Sequence, residues 1–181
     1  MNVPNAITLA RLLSVPLAVW LILEARFAAA FWVFVAAGIS DAVDGFIAKR
    51  FDSRTRLGAL LDPIADKTLL VAVYVTLGAV NHLEAWLVIL VVFRDLLIVG
   101  GYLLVQALAQ PMRSEPLIVS KVNTALQILL VGVLLAQLGL GVEPGATVEA
   151  LVYMVAATTI LSGAGYLVRW TRALAGLEET P

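Results

Sequence analysis

Apolar residues run along this chain in six long blocks separated by short polar interruptions. The first block spans about Asn5 to Leu23 and ends at Glu24-Ala25-Arg26. The second spans about Phe27 to Ala48 and gives way to the polar run KRFDSRTR. The third spans about Leu57 to Val80 and is followed by NHLE, and the fourth spans about Ala85 to Leu108, ahead of AQPMRSEP. The fifth spans about Leu117 to Leu138. The turn-rich GLGVEPGAT then separates it from the sixth, about Val148 to Trp170. Gly and Pro punctuate these breaks because they favour turns and interrupt helices. An apolar run of roughly 18 or more residues with few charges reads as a membrane-spanning helix. The pattern therefore predicts an all-α integral membrane protein of six transmembrane helices. It reads as one transmembrane domain over residues 1–172, with a frayed polar tail over 173–181.

The composition supports this and narrows the chemistry. Hydrophobic residues make up 61% of the 181 positions, with a mean hydropathy of +0.97, where a soluble domain is about half apolar. A net charge of −1 offers no field to gather nucleic acid, so no nucleic-acid partner is expected. With no cysteine and a single histidine, His82, thiolate and His-rich metal sites are excluded. Any metal must be held by oxygen, which favours magnesium, calcium or manganese. The first apolar block carries Arg11 and follows no basic segment, so insertion without cleavage of a signal peptide is expected.

The basic residues predict an orientation. Lys49, Arg50, Arg54, Arg56, Arg113, Lys121, Arg169 and Arg172 fall at one set of block ends and loops, and Arg26 falls at the other. The positive-inside rule makes the first side cytoplasmic, with both termini inside. Trp20, Trp32 and Trp86 fall near the opposite interface, as an aromatic belt would.

Against this background the stretch DAVDGFIAKRFDSRTRLGALLDPIADK, residues 41–67, stands out. Asp41 and Asp44 are three apart near the end of the second block; Asp62 and Asp66 are four apart near the start of the third. Each spacing puts two carboxylates on one helix face. The short loop between the blocks makes the two helices antiparallel neighbours, so the four carboxylates cluster near the cytoplasmic face. Their mutual repulsion calls for a divalent cation or a pair of them, and an all-oxygen site suits Mg²⁺ or Mn²⁺. Gly45, Ala48 and Gly58 add small residues beside them, leaving room for a flat or phosphate-bearing group, although small residues also serve helix packing in membranes. As structural readings, Asp62 before Pro63 fits a helix N-cap, Asn5 fits an N-cap of the first helix, and Thr8 fits a bond to its own backbone.

The string Asp41-x-x-Asp44-Gly45-x-x-Ala48-Lys49, eight residues, then Gly58-x-x-x-Asp62-x-x-x-Asp66 resembles the signature of the CDP-alcohol phosphotransferases. Lys49 stands where that family usually has Arg, with Arg50 beside it. Lys lacks the bidentate fork of Arg, so either residue could meet the nucleotide phosphates. The resemblance covers nearly the whole chain and implies the six-span fold of that family, whose members are typically homodimers. It further implies that Asp41, Asp44, Asp62 and Asp66 hold two Mg²⁺ or Mn²⁺ ions, with Asp66 also the general base. Asp44, Gly45, Ala48, Lys49 and Gly58 would then bind the CDP portion of a lipid donor, CDP-diacylglycerol.

Other stretches point to branches of that family. NVPNAITLARLL at the start resembles the branches that make phosphatidylglycerophosphate and cardiolipin, with Asn5, Thr8 and Arg11 at helical spacing and able to reach the nucleotide or phosphates. FRDLLIV in the fourth block and SKVNTALQILLVG in the fifth resemble the cardiolipin-forming branch, which implies phosphatidylglycerol as acceptor; the alternative is glycerol 3-phosphate. Arg94, Arg113 and Lys121 are candidates for the acceptor phosphate. For Arg94 the alternative is an ion pair within the bundle, since a lone cation deep in a span is costly; for Arg113 it is an interfacial anchor, and for Lys121 a snorkelling one. The expected setting is a bacterial-type inner membrane with the site facing the cytoplasm. A cation transporter is a reading from another class, because intramembrane carboxylates also mark ion paths. The cluster lies at one interface, however, rather than at the midplane where transporter sites usually sit. A non-catalytic lipid-binding protein of the same fold would predict a broken aspartate set.

Overall fold

The computed structural model describes the backbone of residues 3–51, 56–107, 117–143 and 145–178, and side chains within 12–40, 67–101, 117–143 and 145–171. All six apolar blocks become helices: α1 (Val3–Leu23), α2 (Phe27–Phe51), α3 (Arg56–Ala79), α4 (Ala85–Ala107), α5 (Ile118–Leu140) and α6 (Thr147–Glu178). In segments this apolar the backbone must satisfy its own hydrogen bonds, which a helix does residue by residue. Among the described residues, two stretches are long and apolar enough to cross a membrane, Ile118–Leu140 and Thr147–Thr171. At about 1.5 Å of rise per residue they reach roughly 35 Å and 37 Å, against a hydrocarbon core of about 30 Å.

The expected frayed tail is corrected: α6 continues past Trp170 to Glu178. Ala173, Leu174, Ala175, Leu177 and Glu178 are strong helix formers, and they outweigh the polarity of the segment. The capping readings are corrected as well. Asn5 lies in the first turn of α1, and Asp62 lies well inside α3, which already begins at Arg56. Neither is an N-cap.

The helices group into two compact units. One comprises Met1–Glu84 with Val131–Val148, the other Ala85–Leu130 with Glu149–Pro181. In the first unit α1 packs against both α2 and α3. Its core includes Ile22, Ala30, Val73, Tyr74, Leu77 and Leu135, all fully buried. The α1–α2 turn closes with Ala25 N–H bonded to the Ile22 carbonyl (3.0 Å) and Arg26 N–H to the Leu21 carbonyl (2.8 Å). That pair of bonds is a Schellman motif. Its left-handed position is held by Ala25 (φ 55°) where glycine is usual. α3 ends the same way, with Asn81 (φ 60°) as the left-handed residue and His82 N–H bonded to the Leu77 carbonyl (2.9 Å). His82 then stacks edge-on against Phe27, ring centres 5.0 Å apart. At Gly139, near the end of α5, a Cβ would collide with the backbone of Phe27 and Ala28. The two helices meet there backbone to backbone.

In the second unit Leu87, Val91, Leu130, Leu151 and Val155 are buried. A Cβ on Gly101 would collide with the indole of Trp170. The exposed surfaces of the helices are strongly apolar: Ile89, Phe93 and Leu96 form one exposed stripe of α4, and Ile118 on α5 is 79% exposed. Trp20, Trp32 and Trp86 are exposed too. Apolar exposure on this scale would drive a protein in water to associate, and it suits a surface that meets lipid.

Candidate active site

The carboxylate candidates fall on two helices of the first unit. Asp41 and Asp44 lie on the second half of α2, and Asp62 and Asp66 on the first half of α3. On continuous helices the spacings of three and four put each pair on one face. Gly45, Ala48 and Lys49 follow on α2, Gly58 lies on α3, and Asn5, Thr8 and Arg11 lie on α1, which packs against both. The side chains of all these positions lie outside the described residues. The four candidates are all carboxylates, with no nitrogen or sulfur group among them, and a set of that chemistry would fit a hard divalent cation such as Mg²⁺ or Mn²⁺.

The acceptor candidates fall elsewhere. Arg113 lies outside the described residues. Lys121 is exposed in the first turn of α5, where its N–H and that of Ser120 both bond the Leu117 carbonyl, at 3.2 and 2.9 Å. Arg94 is 3% exposed and tightly bound. One Nη1 proton goes to Asp95 Oδ1 at 2.6 Å, making an ion pair between neighbours on α4. Nη2 donates to Ser120 Oγ on α5 and to Ser162 Oγ on α6, both at 2.5 Å, and Nε donates to Ser162 Oγ at 3.2 Å. Four of the guanidinium's five N–H donors are thus engaged. One buried charge is matched by one opposite charge and two hydroxyls, the arrangement a buried cation requires.

A second polar node lies one helical turn along the same helices. Thr158 and Thr159 of α6 both donate to Oδ1 of Asn123 on α5, at 2.8 and 3.0 Å. Asn123 is fully buried, and its amide nitrogen has no hydrogen-bond partner among the described residues. Gln127, also buried, continues the α5 face.

Sequence reasoning singled out Arg94, Lys121 and the stretches around them but missed Asp95, Ser120, Asn123, Thr158, Thr159 and Ser162 as a connected set. The available signal was polar spacing inside apolar helices: Ser120, Asn123 and Gln127 at i, i+3, i+7 on α5, and Thr159 and Ser162 at i, i+3 on α6.

Residues 1–167 match the family model of the CDP-alcohol phosphatidyltransferases. Among curated proteins, the chain is 36% identical over 182 residues to a cardiolipin synthase (CMP-forming)/mitochondrial hydrolase fusion protein of Schizosaccharomyces pombe, covering 92% of this chain and 31% of that protein. It is 35% identical over 188 residues to the chloroplastic CDP-diacylglycerol–glycerol-3-phosphate 3-phosphatidyltransferase 1 of Oryza sativa, covering 94% of this chain and 57% of the relative. To the cardiolipin synthase (CMP-forming) of Homo sapiens it is 34% identical over 151 residues, covering 75% and 50%. The chain thus spans between about a third and somewhat over half the length of these relatives.

Proposed function

The chain belongs to the CDP-alcohol phosphatidyltransferase family, and on that premise we propose that it transfers the phosphatidyl group of CDP-diacylglycerol to a hydroxyl of phosphatidylglycerol, forming cardiolipin and releasing CMP. The observation that carries this is the aspartate signature, unbroken on α2 and α3 of one compact unit. Relatives named cardiolipin synthase support the acceptor. A second reading, with glycerol 3-phosphate as acceptor, draws support from the rice relative at nearly the same identity.

Asp41, Asp44, Asp62 and Asp66 are the proposed ligands of two divalent ions, Mg²⁺ or Mn²⁺. When bound, these ions neutralise the charge of the pyrophosphate. Gly45, Ala48 and Gly58 leave space for the nucleotide beside the carboxylates, and Lys49 or Arg50 meets its phosphates. Asn5 and Thr8 supply further donors from α1. Asp66 accepts the proton of the acceptor hydroxyl as general base. The freed oxygen bonds to the phosphorus that carries diacylglycerol, the bond from that phosphorus to CMP breaks, and CMP departs. The acceptor's phosphate is assigned to Arg113 and Lys121, with Arg94 in a supporting role. Because Arg94 is already held by Asp95, Ser120 and Ser162, its contribution is to position rather than to touch. The protein acts as a homodimer with six spans, both termini and the active site on the cytoplasmic side of a bacterial-type inner membrane.

The test is an acceptor panel. Purified protein receives labelled CDP-diacylglycerol with Mn²⁺ or Mg²⁺, and either phosphatidylglycerol or glycerol 3-phosphate. Cardiolipin formed only with phosphatidylglycerol, and abolished in Asp66→Asn, is the expected result. Phosphatidylglycerophosphate formed from glycerol 3-phosphate would reassign the acceptor. No CMP released with either would overturn the transferase reading.

A further inference from the structure

We infer that Arg94, Asp95, Ser120 and Ser162 form a charge-neutral clamp that positions the first turn of α5, and with it Lys121, for the phosphate of the acceptor. The inference rests on the transferase reading and extends it to residues outside the aspartate signature.

Three observations within the second unit converge on that turn. Arg94 reaches from α4 to Ser120 on α5 and to Ser162 on α6, so a single guanidinium ties three helices together. Leu117, whose carbonyl accepts both first-turn amide bonds of α5, lies against α6: a Cβ added to Gly165 would come within 3.0 Å of its Cδ1. Gly163 likewise leaves open the side of α6 along which the Arg94 stem runs, its would-be Cβ 3.8 Å from Arg94 Cγ. Ser162, Gly163 and Gly165 therefore receive two anchors, one polar and one apolar, and both fix the start of α5. One turn further in, Asn123 joins Thr158 and Thr159 and holds the same two helices against rotation.

The charge balance separates the roles of the two cations. Arg94 is buried and paired one-to-one with Asp95, so the clamp carries no net charge and exerts little pull on an anion. Lys121 adjoins Ser120 in sequence and is exposed. Its ammonium, on a four-carbon stem, is placed against a phosphate at lower entropic cost when the turn beneath it is held still. Holding a binding group in place lowers the ordering cost of recognition, so loosening the clamp weakens acceptor binding while leaving the donor site and the bond-making step intact.

The test uses the full chain in detergent micelles with Ser120→Ala, Ser162→Ala and Ser120→Thr, the last of which keeps the hydroxyl. CMP release is measured while the acceptor, as phosphatidylglycerol or glycerol 3-phosphate, and CDP-diacylglycerol are titrated in turn. The two alanine variants are expected to raise the acceptor KM about tenfold, consistent with the loss of one charged hydrogen bond. The donor KM and kcat stay within about twofold of wild type, and Ser120→Thr restores the acceptor KM. An unchanged acceptor KM, or an equal rise in both KM values, overturns the clamp. An independent readout is the protection of Lys121 against an amine-reactive label by glycerol 3-phosphate, followed by peptide mass spectrometry. Protection in wild type that is lost in Ser120→Ala supports the clamp, and equal protection in both, or none in wild type, overturns it. If the wild type releases no CMP with either acceptor, the transferase reading fails and the labelling result alone decides the clamp.

Discussion

The two compact units differ in what their described cores contain. In the first, the buried side chains are almost all apolar among the described residues. The hydroxyl of buried Thr76 bonds the Ala72 carbonyl of its own helix at 2.7 Å. Close approach does the rest, as where Gly139 lets α5 meet α2 backbone to backbone. In the second unit the core contains Arg94, Asp95, Asn123, Gln127, Thr159 and Ser162, and the bonds among most of them run between helices. Lipid offers helices no hydrophobic drive to associate, so packing and interhelical hydrogen bonds are the two means available. In the second unit both are seen, with Arg94 bonded to Ser162 and Asn123 to Thr158 and Thr159 across helices. The packed unit carries the aspartates proposed for the chemistry, and the bonded unit carries the residues proposed to select the acceptor.

The largest expected effect separates chemistry from packing inside the first unit. Asp66→Asn removes the proposed base and is expected to lower the rate of CMP release by about 10²–10⁴-fold. The melting temperature in micelles should change little, because the role proposed for this residue is chemical. A large drop in melting temperature alongside the lost rate would make Asp66 structural and blur the contrast between units.

The next test breaks the second unit at its charge pair. Asp95→Leu leaves the Arg94 charge buried and unmatched, at an expected cost of about 3–5 kcal/mol, whereas removing both charges with Arg94→Met and Asp95→Leu costs far less than twice that. Thermal melting of the single and double variants measures the difference. If the double variant is as unstable as the single one, the hydroxyl contacts rather than the ion pair dominate.

A smaller effect probes close packing on α5 itself. Gly139→Ala drives a methyl into the backbone of Phe27 and Ala28 and is expected to destabilise by about 1–3 kcal/mol. Gly132→Ala, on the same helix with open space around it, is expected to be neutral or to stabilise by about 0.5–1 kcal/mol. Equal melting temperatures for the two variants would argue against backbone-to-backbone contact as the glue of the first unit.

The smallest concerns the α1–α2 turn. Ala25 occupies a left-handed position at φ 55°, so Ala25→Gly is expected to stabilise by about 1 kcal/mol, visible as a rise of a few degrees in melting temperature. A fall would mean that the alanine methyl makes contacts worth more than its backbone strain.

Much of the fold was legible because helix period and apolar block length are local properties. The breaks at Glu24–Arg26 and Asn81–Glu84 coincide with the observed helix ends to within a residue or two. The form of those ends was not legible: both are Schellman closures without glycine, and glycine is the usual sequence signal. The extension of α6 to Glu178 was not legible in the apolar pattern, because helix propensity carries a helix past the end of its apolar block. On the candidate site, the aspartate register could be read from spacing alone, since residues three or four apart on a helix share a face. For Arg94, sequence alone established that a cation deep in a span needs partners. It did not identify Ser120 and Ser162, which stand 26 and 68 positions away.

By itself, then, the sequence determined the six helical segments, the oxygen-only character of any metal site and the pairing of carboxylates along each helix. These follow from composition and from a 3.6-residue period that operates within a single helix. The tertiary structure alone decided which polar groups on different helices meet: that Arg94 is braced by two serines, and that Asn123 bridges to two threonines. Contacts of this kind depend on interhelical distance and rotation, set by where small residues allow helices to approach, and no spacing along one chain segment encodes them.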